Sequence, residues 1–219
     1  GVTIYEHSTV AAIEKADGHW YTKTPQAHVK SERVIIATNA YTEGEWTELA
    51  KTFYLVDYYQ VASEPLSGSV ADRILPYKTG AWDTRLALSS FRRDKDDRLL
   101  LGTVGGMQLK PKSFYQSWAN NWQYEWGGSF GFTQDHIFRV LEPAEGIMTA
   151  TAYNGRGITT GTLMGKCFAD YILTGNSDSI PLPFKRLEEE KIAFSGIRSG
   201  LTELGLTLYH AGQCLRIIR

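Results

Sequence analysis

Residues 153–161 read YNGRGITTG, and this stretch decides how the rest of the chain is interpreted. The apolar segment from Gly146 to Tyr153 predicts a strand before it, and the segment from Ile158 to Leu173 predicts a helix after it. The glycines between them indicate a tight turn that a ligand can approach closely. Because unpaired N–H groups and the helix dipole favour negative charge at a helix start, the stretch predicts an anion-binding turn.

Two other interpretations of this turn stay open on the residues alone. The spacing of Gly155, Gly157 and Gly161 matches a degenerate dinucleotide fingerprint, which would need a strand with an acidic residue about 20 positions later. The sequence that follows offers no such strand. Glycine-rich turns also occur commonly without any ligand.

The composition describes a globular chain whose partner is a small molecule. Of its 219 residues, 42% are hydrophobic, and 23 basic against 24 acidic side chains give a formal net charge of -1. The sequence has no basic run typical of nucleic-acid binding and no apolar run near the roughly 20 residues that span a bilayer. Cys167 and Cys214 lie far apart and suggest neither a disulfide framework nor a metal site. We expect a cytoplasmic protein that binds neither nucleic acid nor membrane.

Short β-rich segments dominate the first half of the chain. The apolar run from Val34 to Thr38 is uninterrupted, which predicts a strand covered on both faces, and Asn39 ends it. Residues 93–97 predict a hairpin turn, because aspartates there bond to the local backbone. Further strands are expected at Val2 to Glu6, Thr9 to Lys15, His19 to Thr24, Phe53 to Glu64, Leu86 to Arg92 and Arg98 to Thr103.

Helices are expected at three places: from Ile158 to Leu173, from Pro111 to Tyr124, and from near Ser199 to the end. The first of these has one apolar face that we expect to be buried, formed by Leu163, Cys167, Phe168, Tyr171 and Ile172. The last has a leucine stripe that we expect to pack against the body of the protein or a neighbour, formed by Leu201, Leu204, Leu208 and Leu215.

The order of these segments resembles the D-amino-acid oxidase and glycine oxidase superfamily of FAD-dependent oxidoreductases. The resemblance runs collinearly over nearly the whole chain, and within the superfamily it is strongest to the gamma-glutamylputrescine oxidoreductase branch. The stretches that carry it are ATNAY at 37–41, QVASEPL at 60–66, the hairpin at 91–102, WGG at 126–128 and YNGRG at 153–157.

The resemblance implies an α+β fold with a large mixed or antiparallel substrate sheet, remnants of an FAD-binding α/β domain, and carboxyl-terminal helices. It divides the chain into part of the FAD-binding domain at 1–45, the substrate sheet at 46–140, the return of the FAD-binding domain at 141–180, and a connector with the last helix at 181–219. The chain corresponds to about the last half of a typical member. We therefore expect it to lack the amino-terminal βαβ unit whose glycine loop holds the FAD pyrophosphate, and to be inactive by itself.

The resemblance also implies FAD as the cofactor and assigns roles by position. Val10 would lie near the adenine, Ala37, Thr38 and Asn39 would pass the dinucleotide, and Gly155, Arg156, Gly157, Ile158 and Thr159 would follow the pyrimidine edge of the flavin. The candidates for the substrate pocket are Tyr58, Tyr59, Gln60, Arg92 and Trp126, each of which fits core packing or a solvated strand face equally well. No catalytic base is assigned.

The substrate class follows from a missing residue. Amino-acid oxidases of this superfamily place an arginine near residues 126–132 to hold the substrate carboxylate, but this sequence has none between Arg98 and Arg139. This absence favours an amine whose charge or carboxylate lies elsewhere over a simple amino acid, and the resemblance implies that the amine is oxidised to an imine by hydride transfer to flavin. A non-catalytic binding or assembly subunit and an enzyme that oxidises a 2-hydroxy acid stay open as alternatives.

Overall fold

The computed structural model describes residues 1–105 and 122–214, apart from the side chain of Cys214. Its strands are β1 (Ala12–Ala16), β2 (His19–Lys23), β3 (His28–Ser31), β4 (Val34–Ile36), β5 (Tyr54–Pro65), β6 (Ala81–Trp82), β7 (Ser89–Arg93), β8 (Arg98–Val104), β9 (Trp122–Phe132), β10 (Arg139–Ala144) and β11 (Ile147–Thr151). Its α-helices are α1 (Gly68–Arg73), α2 (Gly157–Thr174), α3 (Leu187–Glu190) and α4 (Ser195–Cys214). Short 3-10 helices cover Asn39–Tyr41, Gly44–Thr52 and Ser177–Ser179.

The chain forms two compact units, and its α+β class with largely antiparallel sheets is as expected. The first unit contains Gly1–Tyr54 and Gly131–Ser195, and the second contains Leu55–Phe130 and Gly196–Arg219. The segment boundaries expected from the sequence differ from these by up to about fifteen residues. The cofactor and substrate roles expected for each segment stay predictions.

The first unit contains two three-stranded sheets. Strands β1, β2 and β3 form one antiparallel sheet, while the other has the order β10-β11-β4. In that second sheet β11 is antiparallel to β10 and parallel to β4, with Ile147 opposite Val34 and Thr149 opposite Ile36. Since parallel strands end at the same edge of a sheet, the residues after β4 and those after β11 come together there.

Helix α2 covers the second sheet of the first unit. Met164, Cys167 and Phe168 are buried in one cluster with Val140 and Met148. The helix ends at Gly175, whose φ of 71° is left-handed and whose N–H donates to the Tyr171 carbonyl at 2.8 Å, as the glycine at this position predicts.

The buried face of α2 differs in part from the expected one. Leu163 and Ile172 are 52% and 41% exposed, so their expected burial is wrong. The buried stripe instead runs through Met164, Cys167, Phe168 and the half-buried Tyr171, a spacing that leaves Leu163 and Ile172 at its margins.

The second unit contains a five-stranded sheet with the order β6-β7-β8-β5-β9. Gln60 on β5 lies opposite Gly102 on β8, which in turn lies opposite Ser90 on β7. The hairpin between β7 and β8 is the predicted turn, because the Asp94 carboxylate accepts from the N–H groups of Asp96 and Arg98 at 2.9 and 2.8 Å.

Helix α4 of the second unit contacts the strand ends through a different face from the leucine stripe. Ser199 Oγ accepts from the N–H of Leu55 at 2.9 Å, and His210 Nε2 lies 2.9 Å from the Val104 carbonyl oxygen. Leu201, Leu204 and Leu208 are exposed, so their expected packing against the body of the protein is wrong, and packing against a neighbour stays a prediction. Leu215 lies outside the described residues.

Several other elements differ from the expected ones. Residues Val2 to Glu6 form no strand, because β-prone residues need a paired neighbour, and Val2 is 90% exposed. Strands β3, β6 and β10 were not expected, and Ile35 on β4 is 43% exposed although both faces of that strand were expected to be covered. The expected helix from Pro111 to Tyr124 lies outside the described residues up to 121, and its last residues belong to β9.

Candidate functional site

The turn between β11 and α2 is built from residues with unusual backbone angles. Ala152, Asn154 and Gly155 have φ values of 59°, 53° and 80°, all in the left-handed region. Glycine adopts this region freely and asparagine tolerates it, but alanine rarely does. Ala152 is also fully buried, so the surrounding structure must enforce its conformation.

Two asparagine side chains hold the backbone of Ala152. The side-chain oxygen of Asn39, which follows β4, accepts from the Ala152 N–H and from the Thr151 hydroxyl, both at 3.0 Å. The side-chain amide of Asn154 donates to the Ala152 carbonyl at 2.7 Å. Asn39 itself has a φ of 46°. The edge where β4 and β11 end is therefore joined by hydrogen bonds.

The end of β9 is fixed against the same turn. The Asn154 side-chain oxygen accepts from the N–H of Thr133 at 2.8 Å and from its hydroxyl at 3.2 Å, while the Asn154 N–H donates to the Gly131 carbonyl at 3.1 Å. A Cβ on Gly131 would lie 2.9 Å from Phe53 Cγ and 3.1 Å from Ala152 Cα. Only glycine permits this close approach.

The start of α2 is open to solvent. No side chain of a described residue caps the helix at Arg156, so the first-turn N–H groups are available to a ligand. Ile158 is 90% exposed beside them. A Cβ on Gly157 would lie 3.4 Å from the Tyr153 ring, an ordinary contact, and burial raises the pKa of Tyr153. The surface combines hydrogen-bond donors, a positive helix end and apolar area.

The expected cofactor residues are thus partly brought together. Asn39 bonds to Thr151 and Ala152, which precede residues 155–159 in the same turn. Ala37 is exposed, and the Thr38 hydroxyl lies 2.6 Å from that of Thr42. Val10 precedes β1, which belongs to the other sheet of the first unit. Their roles toward a cofactor stay predictions.

The second unit presents the expected substrate residues on two different faces. The register of β5, β8 and β7 places Tyr58, Gln60 and Arg92 on one face, which we call the polar face, and Tyr59 on the other. Tyr59 is buried with Val61 and Leu101, and its hydroxyl donates to Glu125 at 2.6 Å. Burial and this carboxylate raise the pKa of Tyr59.

The polar face has a filled part and an open part. The Tyr58 ring lies over Gly102, and its hydroxyl shares a 2.6 Å hydrogen bond with Ser90. Arg92 is exposed and has no hydrogen bond or ion pair with any residue that the structure describes. Strand alternation directs Trp126, the neighbour of Glu125 on β9, to the polar face as well.

The arginine next in sequence has the opposite environment. Arg93 is buried and donates to the carbonyls of Ala71, Ile74 and Leu75 at 2.6, 3.1 and 3.3 Å, and to the Asp97 carboxylate at 2.6 Å. It therefore holds the end of α1, and it is committed to structure.

Sequence reasoning missed four residues of these two surfaces: Gly131, Thr133 and Asn154 at the turn, and Ser90 on the polar face. Asn154 had a local signal, since asparagine inside a glycine-rich turn favours a left-handed backbone. The others act through contacts distant in sequence. Over residues 1–105 and 122–214, no cluster of His, Cys, Asp and Glu could hold a metal ion, and no helix has the length and apolar character needed to cross a membrane.

Comparison with known proteins places these features in a family. A family model described as DAO, FAD dependent oxidoreductase, matches residues 1–171. A probable oxidoreductase OrdL of Haemophilus influenzae is 27% identical over 95% of this chain and 51% of its own, and the gamma-glutamylputrescine oxidoreductase of Escherichia coli is 27% identical over 81% of this chain and 42% of its own. The chain thus spans about half the length of the curated relatives it matches.

Solved structures share the fold. The glycine oxidase of Geobacillus kaustophilus superposes with a TM-score of 0.56 over 87% of this chain and 50% of that chain, at 18% identity. The L-amino acid deaminase of Proteus myxofaciens gives a TM-score of 0.60 over 88% of this chain and 57% of that chain, at 17% identity.

Proposed function

Because the chain belongs to the FAD-dependent oxidoreductase family, we propose that the protein oxidises an amine at its C–N bond and passes the electrons to FAD. The observation that carries the proposal is the meeting of Asn39 with the turn that opens α2. One relative is named as a gamma-glutamylputrescine oxidoreductase and one structural neighbour as a glycine oxidase, which supports an amine as substrate class.

In this proposal the first unit holds FAD at the start of α2. The contacts come from Val10, Ala37, Thr38, Asn39, Gly155, Arg156, Gly157, Ile158 and Thr159. The uncapped N–H groups suit a ring with carbonyl groups, and the exposed Ile158 suits its apolar face. A positive helix end favours negative charge by about 0.3–1 kcal/mol at an exposed position. These residues therefore fit a flavin, whose reduced form carries negative charge.

When bound, FAD would accept a hydride from the carbon next to the amine nitrogen, and loss of the nitrogen proton would leave an imine that water hydrolyses. The chain's own residues act by binding and orienting. The helix start stabilises the charge that develops, and the network of Asn39 and Asn154 keeps the backbone fixed while it does so. We assign no catalytic base.

On the second unit, we propose that the polar face binds the substrate. Arg92 is an exposed guanidinium with no partner among the described residues, so it suits a carboxylate. Gln60 and Trp126 add an amide and an aromatic surface, and Tyr58 is held in place by Ser90. The favoured substrate is thus an amine that carries a carboxylate away from the reacting carbon.

The protein at its natural length provides the test. It is mixed without oxygen with putrescine, gamma-glutamylputrescine, glycine, D-alanine and glycolate, and loss of flavin absorbance is followed while a carbonyl reagent traps the product. We expect gamma-glutamylputrescine to exceed glycine and D-alanine in kcat/KM by about tenfold or more, the factor for one charge-assisted contact. If glycolate were the only compound that reduces the flavin, the substrate would be a hydroxy acid and not an amine. A protein without FAD would overturn the proposal altogether.

A further inference from the structure

We infer that Asn39 and Asn154 are positioning residues that hold Ala152 in a strained conformation and thereby fix the direction of the first turn of α2. The inference rests on the proposed function, because it concerns the helix start to which FAD binding is assigned. It extends that function to the hydrogen bonds that the Asn39 oxygen and the Asn154 amide make to the backbone, and it assigns the strain at Ala152 a purpose.

The backbone strain is located at Ala152. Ala152 has a φ of 59° and is fully buried, and its Cα lies against Gly131. Alanine in this region brings its Cβ close to the neighbouring carbonyl oxygen, which is why single left-handed residues are usually glycine or asparagine. A buried left-handed alanine persists only where other contacts overdetermine it.

The two asparagines supply those contacts from both sides of Ala152. Asn39 accepts from the Ala152 N–H at 3.0 Å, and Asn154 donates to the Ala152 carbonyl at 2.7 Å. Both polar groups of the strained residue are therefore bound to side-chain amides. The side-chain oxygen of Asn154 accepts two hydrogen bonds from Thr133. The amide therefore cannot rotate without losing three hydrogen bonds.

Asn39, Asn154 and the Ala152 backbone between them, which we call the clamp, are connected to the helix by backbone hydrogen bonds. The turn from Ala152 to Arg156 is tied by the bond from the Arg156 N–H to the Tyr153 carbonyl at 3.0 Å, and the Thr160 N–H donates to the Arg156 carbonyl at 3.1 Å. With so few residues between them, the φ of Ala152 sets where the N–H groups of Gly157 and Ile158 point. Loosening the clamp should therefore move the donors offered to the flavin.

The experiment measures the clamp with and without the cofactor. Asn39→Ala and Asn154→Ala are compared with Asn176→Ala, which removes a similar local bond, to the Asp178 N–H, elsewhere in the first unit. Amide hydrogen exchange is followed at Ala152, Thr133 and Ile158 in the cofactor-free protein. The reduction potential and FAD affinity are then measured on the holoprotein at its natural length.

We expect exchange at Ala152 to quicken about fivefold in Asn39→Ala, the factor for one lost hydrogen bond of about 1 kcal/mol. The reduction potential should fall, because misaligned N–H groups stabilise the negatively charged reduced flavin less. The Asn176→Ala variant should leave exchange at Ala152 and the reduction potential unchanged.

A rescue separates positioning from direct contact. Ala152→Gly in the Asn39→Ala background removes the strain, because glycine adopts a φ near 59° freely. The double variant should regain most of the wild-type potential if Asn39 acts through Ala152. No recovery would overturn the inference, because the effect of Asn39→Ala on the potential would then not pass through Ala152. Unchanged exchange in both single variants, or faster exchange with an unchanged potential, would also overturn it. If the wild-type protein took up no FAD, the proposed function itself would be wrong.

Discussion

The turn before α2 and the polar face of the second unit use side chains in opposite ways. At the turn, the side chains of Asn39 and Asn154 form hydrogen bonds with the backbone, and the groups available to a ligand are main-chain N–H groups. On the polar face, Arg92 has no bond to any described residue and offers its whole guanidinium. The turn would bind its ligand through fixed backbone groups, whereas the polar face would bind its ligand through unpaired side chains. Substitutions of the residues that hold the turn should lower stability, and substitutions on the polar face should weaken only binding.

The largest expected effect tests this contrast at two adjacent arginines. Arg93→Ala removes four hydrogen bonds from a buried guanidinium and leaves the carbonyls at the end of α1 unsatisfied. We expect the free energy of unfolding to fall by about 3 kcal/mol or more. Urea denaturation measures it. In the same assay Arg92→Ala should change stability by less than about 0.5 kcal/mol. Equal losses in the two variants would contradict the assignment of Arg92 as a free side chain.

The next effect concerns the proposed binding of the substrate carboxylate by Arg92. Arg92→Ala should lower kcat/KM for gamma-glutamylputrescine by about 10- to 100-fold, which corresponds to one charge-assisted contact of about 1.5–3 kcal/mol. Turnover of putrescine, which has no carboxylate, should stay nearly constant. Arg92→Lys keeps the charge without the planar fork, so its kcat/KM for gamma-glutamylputrescine should lie between those of the wild type and Arg92→Ala. A loss of the same size for both amines would mean that Arg92 supports the enzyme without binding the carboxylate.

The packing of the turn predicts a smaller change in stability. In Gly131→Ala the new Cβ would meet Phe53 and the backbone of Ala152 at 2.9 and 3.1 Å. We expect a destabilisation of about 1–3 kcal/mol, measured by urea denaturation. Gly165→Ala is the matched control, because nothing lies within 4 Å of its Cβ inside α2, and it should stabilise the protein by up to about 1 kcal/mol. A tolerated Gly131→Ala would show that the turn is looser than the contacts indicate.

The smallest effect separates two glycines of the turn. Gly155 has a φ of 80°, so Gly155→Ala should destabilise the protein by about 1 kcal/mol. Gly157 has no such constraint, and its Cβ would only touch Tyr153 at 3.4 Å, so Gly157→Ala should leave stability unchanged. We expect it instead to weaken FAD binding about tenfold, or 1.4 kcal/mol, in a titration of the holoprotein at its natural length. Unchanged FAD affinity would remove Gly157 from the cofactor surface.

The sequence by itself determined the elements whose causes are local. The strand, glycine turn and helix around residues 147–174 lie where the pattern predicts, and so does the hairpin at 93–97. Periodicity, aspartate bonding to nearby N–H groups and the freedom of glycine act over a few residues, so one sequence suffices to detect them. The resemblance to flavin oxidoreductases added the family, which the comparison confirms.

Only the tertiary structure decided which residues contact each other and which side chains are engaged in hydrogen bonds within the protein. Nothing in the sequence marks Ala152 as left-handed, because the bond that holds it comes from Asn39, 113 residues away. The same applies to Tyr59, whose hydroxyl strand register directs toward the Glu125 carboxylate, and to residues 2–6, which are β-prone but have no strand to pair with among the described residues. The energy of such features resides in long-range hydrogen bonds and register, which topology sets and local propensity does not encode.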